Sequence, residues 1–199
     1  GHKFYGPKGV GVLYVRSGLR IGKLIAGGHQ ERSMRGGTTN VPGVVGLAEA
    51  FRLANEEMAQ NNAHVAALRD RFIARVLREI TYVKLNGHPK NRLPNNANFS
   101  FRYIEGESLL FSLDLAGIAV SSGSACSSGS LEPSHVLLAT GLPEGLAHGS
   151  IRFSFGKENT AEQIDIAVEK LKEIVVRLRN LSPLFPKELK NEVYDKEIQ

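Results

Sequence analysis

Apolar positions along the chain fall into strand-like and helix-like spacings that alternate from one end to the other. Val10-Gly-Val-Leu-Tyr-Val15 is an apolar, β-branched run and predicts a buried strand. Residues 18–42 are glycine-rich, hold several arginines and show no sustained period, which predicts a long functional loop or set of turns. Val44, Leu47, Ala48, Phe51, Ala54 and Met58 then recur at helical spacing, and Val65, Leu68, Phe72, Val76 and Ile80 continue it. The pattern predicts one long helix, or two with a break near Gln60-Asn-Asn62.

The second half has shorter periods. Tyr82–Leu85 predicts a strand and Gly87–Pro89 a turn. Asn98–Tyr103 alternates, with Phe99, Phe101 and Tyr103 on one face. Glu107–Ala116 predicts a helix stopped by Gly117. Ile118–Val120 predicts a strand running into a serine-rich segment, and Pro133 a helix that ends before Gly141. Ile151, Phe153 and Phe155 alternate with Arg152 and Ser154, which predicts a further strand. Thr160 and Gln163 make a capping-box pattern ahead of an amphipathic helix marked by Ile164, Val168, Leu171, Val175 and Leu178. The last ten residues are highly charged and predict a frayed end. Alternating strands and helices define an α/β class, with a boundary between residues 60 and 80 that we draw as 1–62 and 63–199.

Composition narrows the function classes. The chain carries a formal charge of +5, but its basic residues are spread among acidic ones. No Lys/Arg block or set of stacking aromatics marks a nucleic-acid surface, so no nucleic-acid partner is expected. Modest basicity suits an anionic cofactor, substrate or acidic partner equally. No apolar run approaches the ~18 residues of a membrane helix, so no membrane partner is expected either. No signal-peptide pattern precedes Lys3, and Gly1–Gly9 reads as the middle of a motif.

Cys126 is the one cysteine in the chain. It excludes an internal disulfide and a cysteine-rich metal cage, so no metal site is expected. It also fits a reducing, cytoplasmic compartment. The thiol sits in Ser121-Ser-Gly-Ser-Ala-Cys-Ser-Ser-Gly-Ser130, a run with little apolar surface to bury. That predicts an exposed, mobile loop with the sulfur on display.

Several segments then carry a specific likeness. His2-Lys3-Phe-Tyr-Gly-Pro-Lys-Gly-Val-Gly11 resembles the Schiff-base lysine motif of the cysteine desulfurases, pyridoxal-phosphate enzymes of the aminotransferase class V group. Gln30-Glu31 with Arg35-Gly-Gly-Thr38, Asn98-Phe-Ser-Phe101, Ser121–Ser130 with Leu131-Glu-Pro-Ser134, and Arg152-Phe-Ser-Phe-Gly156 with Asn159-Thr160 resemble further segments of that family, in the same order. The resemblance covers essentially the whole chain. The cysteine loop and the His-Lys motif are the specific signals in it. It implies a transferase of the pyridoxal-phosphate fold type I. The chain would be its C-terminal half: the end of the large cofactor domain and the start of the linking helix over 1–62, and the small domain with the cysteine loop over 63–199. The serine expected before Gly1, the aromatic that stacks on the pyridoxal ring and the Asp that pairs with its nitrogen would lie outside these residues. The chain alone is therefore expected to be inactive.

The resemblance also implies roles. Lys3 would hold pyridoxal 5'-phosphate covalently and move protons on the substrate. His2 would help hold the phosphate, and Thr38 would reach the phosphate of the other subunit of a homodimer. Arg152 would grip the α-carboxylate of L-cysteine with two parallel hydrogen bonds, and Asn98 would touch the substrate. Cys126 would take the substrate sulfur as a persulfide, leaving L-alanine. An unperturbed thiol has a pKa of ~8.5, so a neighbouring cation or helix terminus should favour the thiolate. Five extended residues reach at most roughly 16–18 Å, enough to swing the sulfur toward an acceptor or iron–sulfur scaffold protein. Plainer readings stand beside these. His2 reads also as an ordinary core or surface histidine, Thr38 as a turn hydroxyl bonding its own backbone, Arg152 as a solvated strand arginine, and Asn98 as a local backbone partner. His135 and His148 receive no role. The competing function is a non-catalytic sulfur carrier or interaction domain that keeps Cys126 but builds no cofactor site.

Overall fold

Helical periodicity survives into the longest elements almost unchanged, whereas the strands form where a neighbour exists to pair with. The computed structural model describes residues 1–122 and 133–189. The chain divides into two compact units, Gly1–Gln60 and Asn61–Gln199.

In the first unit, His2–Phe4 makes one 3₁₀ turn that ends at Tyr5 in the left-handed region, φ 67°. Phe4 sets its ring edge-on to Phe51, centroids 6.1 Å apart. The strand expected over Val10–Val15 is absent: Val12, Leu13 and Tyr14 are 75%, 75% and 85% exposed. An extended, apolar run becomes a strand only when a second strand takes its N–H and C=O groups, and none among the described residues does. Within the glycine-rich stretch, Gln30–Ser33 forms a single turn (α1) with Glu31, Arg32 and Ser33 at φ 50°, 54° and 66°. Left-handed backbone costs roughly 1–2 kcal/mol per non-glycine residue. It is closed by the Gln30–Arg35 bridge and by Gly36 N–H donating to Ile25 O at 2.9 Å. A Cβ at Gly36 would meet Ala26 O at 2.7 Å, so this close approach needs glycine.

Helix α2, Val41–Glu56, starts at Asn40, whose side chain accepts the Gly43 N–H at 3.1 Å, with Pro42 in its first turn. It gives way at Glu57 to α3, Met58–Glu79. There are thus two helices, but the break precedes Gln60-Asn-Asn62, which stays helical. Asparagine costs a helix less than about 0.7 kcal/mol, too little to end one whose next turns are buried.

The second unit is built on a four-stranded antiparallel sheet in the order β1-β2-β4-β3. The strands are β1 Val83–Leu85, β2 Asn96–Phe101, β3 Ser121–Ser122 and β4 Ser150–Ser154, and the helices α4 Gly106–Leu115, α5 His135–Ala139, α6 Glu144–Ala147 and α7 Ala161–Leu181. Ala97, Phe99, Phe101, Ile151 and Phe153 cover one face of the sheet. Against them pack Leu68, Phe72 and Val76 of α3, Leu109 and Leu113 of α4, and Ile164, Val168, Leu171 and Val175 of α7. Phe72 is the hub, with ring centroids 4.6 Å from Phe153, 5.5 Å from Phe155 and 6.1 Å from Phe99. The expected capping box forms: Thr160 Oγ1 accepts the Gln163 N–H, and Gln163 Oε1 accepts the Thr160 N–H, both at 3.2 Å.

Two strand expectations shift. Tyr103 lies past β2 with φ 67°, because the chain must turn toward α4 there. Pairing on β3 begins at Ser121 instead of Ile118. Ile118 is used to finish α4: its N–H donates to Leu113 O at 2.9 Å while Gly117 N–H donates to Asp114 O at 2.8 Å, a Schellman closure with Gly117 at φ 78°. Helix α5 closes the same way through Gly141 and Leu142. Cys126 and the charged C-terminal stretch from residue 190 lie outside the described residues.

Candidate active site

Strand alternation places Asn98 and Ser100 of β2, and Ser150, Arg152 and Ser154 of β4, on the sheet face opposite the aromatic core. Antiparallel register then lines up residues from different strands. Asn98 is the direct partner of Arg152, and Arg152 is the direct partner of Ser121. Direct partners share a face with Cβ atoms about 4.5–5.5 Å apart. Asn98, Arg152 and Ser121 therefore form one polar row across three strands.

The row is unfinished at its cation. Arg152 Nε is buried and has no hydrogen-bond partner among the described residues, and the guanidinium is in no ion pair there. Asn98 is already engaged on its other side. Its Oδ1 accepts from Asn86 Nδ2 at 2.7 Å, and the same Nδ2 reaches Ser100 Oγ at 2.8 Å. Asn86 is 6% exposed, and its N–H donates to Asn98 O at 2.8 Å, which extends the ladder one residue past β1. Asn98 therefore bonds Asn86 through both backbone and side chain. Nothing local marks Asn86 except a polar residue directly after an apolar strand, because its role comes from a pairing twelve residues away.

Ser121 opens the segment that carries Cys126, five residues along the chain. The thiol is thus tethered to a strand that is hydrogen-bonded beside Arg152.

The other predicted residues sit in the first unit. Lys3 is exposed on the 3₁₀ turn, and its amine makes no hydrogen bond or ion pair among the described residues. His2 is exposed beside it. Thr38 is exposed on the segment before α2, and its hydroxyl bonds no backbone group among the described residues, so the turn-hydroxyl reading does not hold there. An unpaired primary amine, a neighbouring imidazole and an unengaged hydroxyl fit what pyridoxal phosphate needs from this chain: a covalent nitrogen and donors for its phosphate. His148 lies 4.0 Å from Glu144 on α6 and belongs to no part of the polar row; His135 is exposed on α5.

A polar row with an uncommitted arginine on a small antiparallel sheet, and a lysine with a free amine, describe a class before they describe a protein. Residues 1–167 match the aminotransferase class-V family, and the chain belongs to it. The family's members are pyridoxal-phosphate enzymes. Within it the chain is similar to cysteine desulfurases. Cysteine desulfurase IscS of Methanosarcina thermophila is 55% identical over 188 residues, 94% of this chain and 46% of that protein. Cysteine desulfurase NifS of Azotobacter vinelandii is 50% identical over 183 residues, 92% of this chain and 46% of that protein. A solved NifS-like protein superposes with a TM-score of 0.77 at 39% identity, over 87% of this chain and 44% of that one. The X-ray structure of a NifS-like protein from Rickettsia africae ESF-5 gives a TM-score of 0.70 at 31% identity, over 78% of this chain and 40% of that one. The fold is thus the mixed α/β one of these enzymes, and the chain spans about half the length of the curated relatives it matches.

Proposed function

We propose that the protein containing this chain is a cysteine desulfurase, converting L-cysteine to L-alanine and leaving the sulfur as a persulfide on Cys126 for iron–sulfur cluster assembly. The observation that carries the reading is Arg152, whose Nε is unpartnered among the described residues, set beside Asn98 on the strand that pairs with the start of the Cys126 segment. An arginine left free on a sheet face suits a planar anion, and the α-carboxylate of an amino acid is one. The amino-acid end of the substrate is then held where a five-residue tether brings a thiol.

Each residue has a task. Arg152 takes the carboxylate with two parallel N–H bonds, and Asn98 adds a donor beside it. Lys3 would hold the cofactor covalently and would carry protons at the substrate α-carbon. His2 and Thr38 serve the phosphate, Thr38 that of the second subunit in a homodimer. Pyridoxal phosphate, when bound, supplies the electron sink for this chemistry. Cys126 as thiolate attacks the substrate sulfur. The new S–S bond forms as the substrate C–S bond breaks, and the pair left on the carbon skeleton is protonated, giving L-alanine. No external oxidant or reductant is needed, since the carbon skeleton keeps the electron pair of the broken C–S bond and is reduced as the sulfur is oxidised to the persulfide. We assign residues 1–62 to the end of the cofactor domain and the start of the linking helix, residues 63–199 to the small domain, and the protein to a reducing cytoplasmic compartment. Among the described residues no helix is long and apolar enough to cross a membrane.

The test is the Cys126→Ala variant of the holoenzyme, given L-cysteine. Pyridoxal absorbance should persist while sulfide release under reductant is lost. Sulfide output equal to the parent's would overturn the assignment, and a parent with no pyridoxal absorbance would favour the sulfur-carrier reading. Borohydride reduction should fix pyridoxyl mass on the peptide with Lys3; labelling of another lysine would refute that role.

A further inference from the structure

We infer that Asn86 is a positioning residue: it holds the Asn98 carboxamide turned away from Arg152 and so keeps the arginine free for an incoming carboxylate. The inference rests on the desulfurase reading for what the carboxylate is, but the geometry behind it stands on the sheet alone.

Strand β2 has β1 on one side and β4 on the other. Asn98 therefore has two neighbours in its row, Asn86 just past β1 and Arg152 on β4. A carboxamide has an acceptor at one end and donors at the other. Its Oδ1 can face only one side at a time. A guanidinium with a buried, unpartnered Nε, one register step away, is the stronger attraction for a carbonyl oxygen, because bonds to charged groups outweigh neutral ones. Yet Oδ1 faces Asn86, at 2.7 Å. Three features hold it there, and they leave Asn86 Oδ1 buried without a hydrogen-bond partner among the described residues. Asn86 is buried, its backbone is tied to Asn98 O at 2.8 Å, and its Nδ2 is fixed by a second bond to Ser100 Oγ, itself fully buried. Arg92 locks the segment from outside: Nη2 donates to Asn86 O at 2.9 Å and Nε to His88 O at 3.0 Å.

The consequence is chemical. With Oδ1 turned toward Asn86, the Nδ2 donors of Asn98 point away from it. Asn98 and Arg152 then present donors only, which matches a carboxylate and repels a second cation. Without Asn86, Asn98 Oδ1 would turn to the guanidinium and occupy the group the substrate needs.

The decisive experiment is a crystal structure of the Asn86→Ala holoenzyme beside steady-state kinetics with L-cysteine. We expect Asn98 Oδ1 to lie within hydrogen-bonding distance of the Arg152 guanidinium. KM should rise by about tenfold, the scale of one charge-assisted hydrogen bond, with kcat within about twofold of the parent. In an Asn98→Ala background the same substitution should leave KM unchanged. If Asn86→Ala does not fold, the isosteric Asn86→Asp gives the same reading, since a carboxylate cannot donate to Oδ1. An Asn98 that keeps its orientation, or a KM equal to the parent's, overturns the inference. Arg152→Lys, measured in parallel, separates the two claims. If it leaves KM for L-cysteine unchanged, the substrate reading falls, while the orientation of Asn98 in the Asn86 variant still decides the role of Asn86.

Discussion

Two arginines of the second unit, neither paired with a carboxylate among the described residues, come to opposite ends. Arg152 is half-buried, with an Nε that has no hydrogen-bond partner among the described residues. Arg179 is 3% exposed but satisfied: Nε donates to Arg102 O at 3.3 Å, Nη2 to Tyr82 O at 3.2 Å, and its guanidinium lies 5.7 Å from the Tyr82 ring and 5.9 Å from the Phe185 ring. Burial pulls its pKa down to about 10, which still leaves it charged at neutral pH. It closes the place where Tyr82 and Tyr103 both adopt positive φ, 52° and 67°. Replacing it by Met should orphan two carbonyls and lower unfolding stability by about 1–3 kcal/mol in urea titrations. No loss would mean that water takes over both bonds. For Arg152, by contrast, Lys should fold as stably as the parent and weaken L-cysteine binding by about 1.5–3 kcal/mol, since a point charge cannot make the paired contact. An unchanged KM would make this arginine structural.

At the scale of elements, local rules and pairing rules part company. The α7 capping box and the α4 stop at Gly117 use groups within a few residues, so both were legible in the sequence. Thr160→Ala should cost about 1 kcal/mol through the orphaned Gln163 N–H. Gly117→Ala should cost about 1–2 kcal/mol through backbone strain alone, because a Cβ there meets nothing within 4 Å. Thermal unfolding checks both; an Ala at 117 that costs nothing would show that the closure can relax. Strand expectations fared unevenly. Phe99 and Phe101 alternate and find partners, so β2 forms, two residues earlier than expected. Val10–Val15 has equal β character but no neighbouring strand among the described residues, and stays irregular.

At the scale of the molecule, α3 and α7 are joined by an ionic lattice that periodicity could not show. Arg71 binds Asp165 at 2.7 Å. Arg75 binds Glu79 at 2.8 Å, Asp165 at 3.1 Å and also Glu169, and Lys172 binds Glu79 at 3.4 Å. The hydrogen bond from Arg75 holds Glu79 down at about 2, and the one from Arg71 does the same for Asp165. Both carboxyls are stronger acids folded than unfolded. Their contribution is therefore complete above pH 4.5, the ordinary value for Glu79, and is lost as pH falls toward about 2. Stability of the second unit should drop through that window, and Arg75→Met should flatten the drop. Parallel acid titrations of parent and variant would show the lattice to be idle.

Legible in the residues alone were the α/β class, the long helices with the α7 capping box and the α4 stop, and the Phe99 and Phe101 face of the sheet, because each depends on neighbours within a few positions. The family likeness was also legible there. Only the tertiary structure decided which apolar runs become strands, that Asn98, Arg152 and Ser121 stand in one row, and that Asn86 turns Asn98. Those facts come from register between strands far apart in the chain, and register is set by where the aromatic core lets each strand lie.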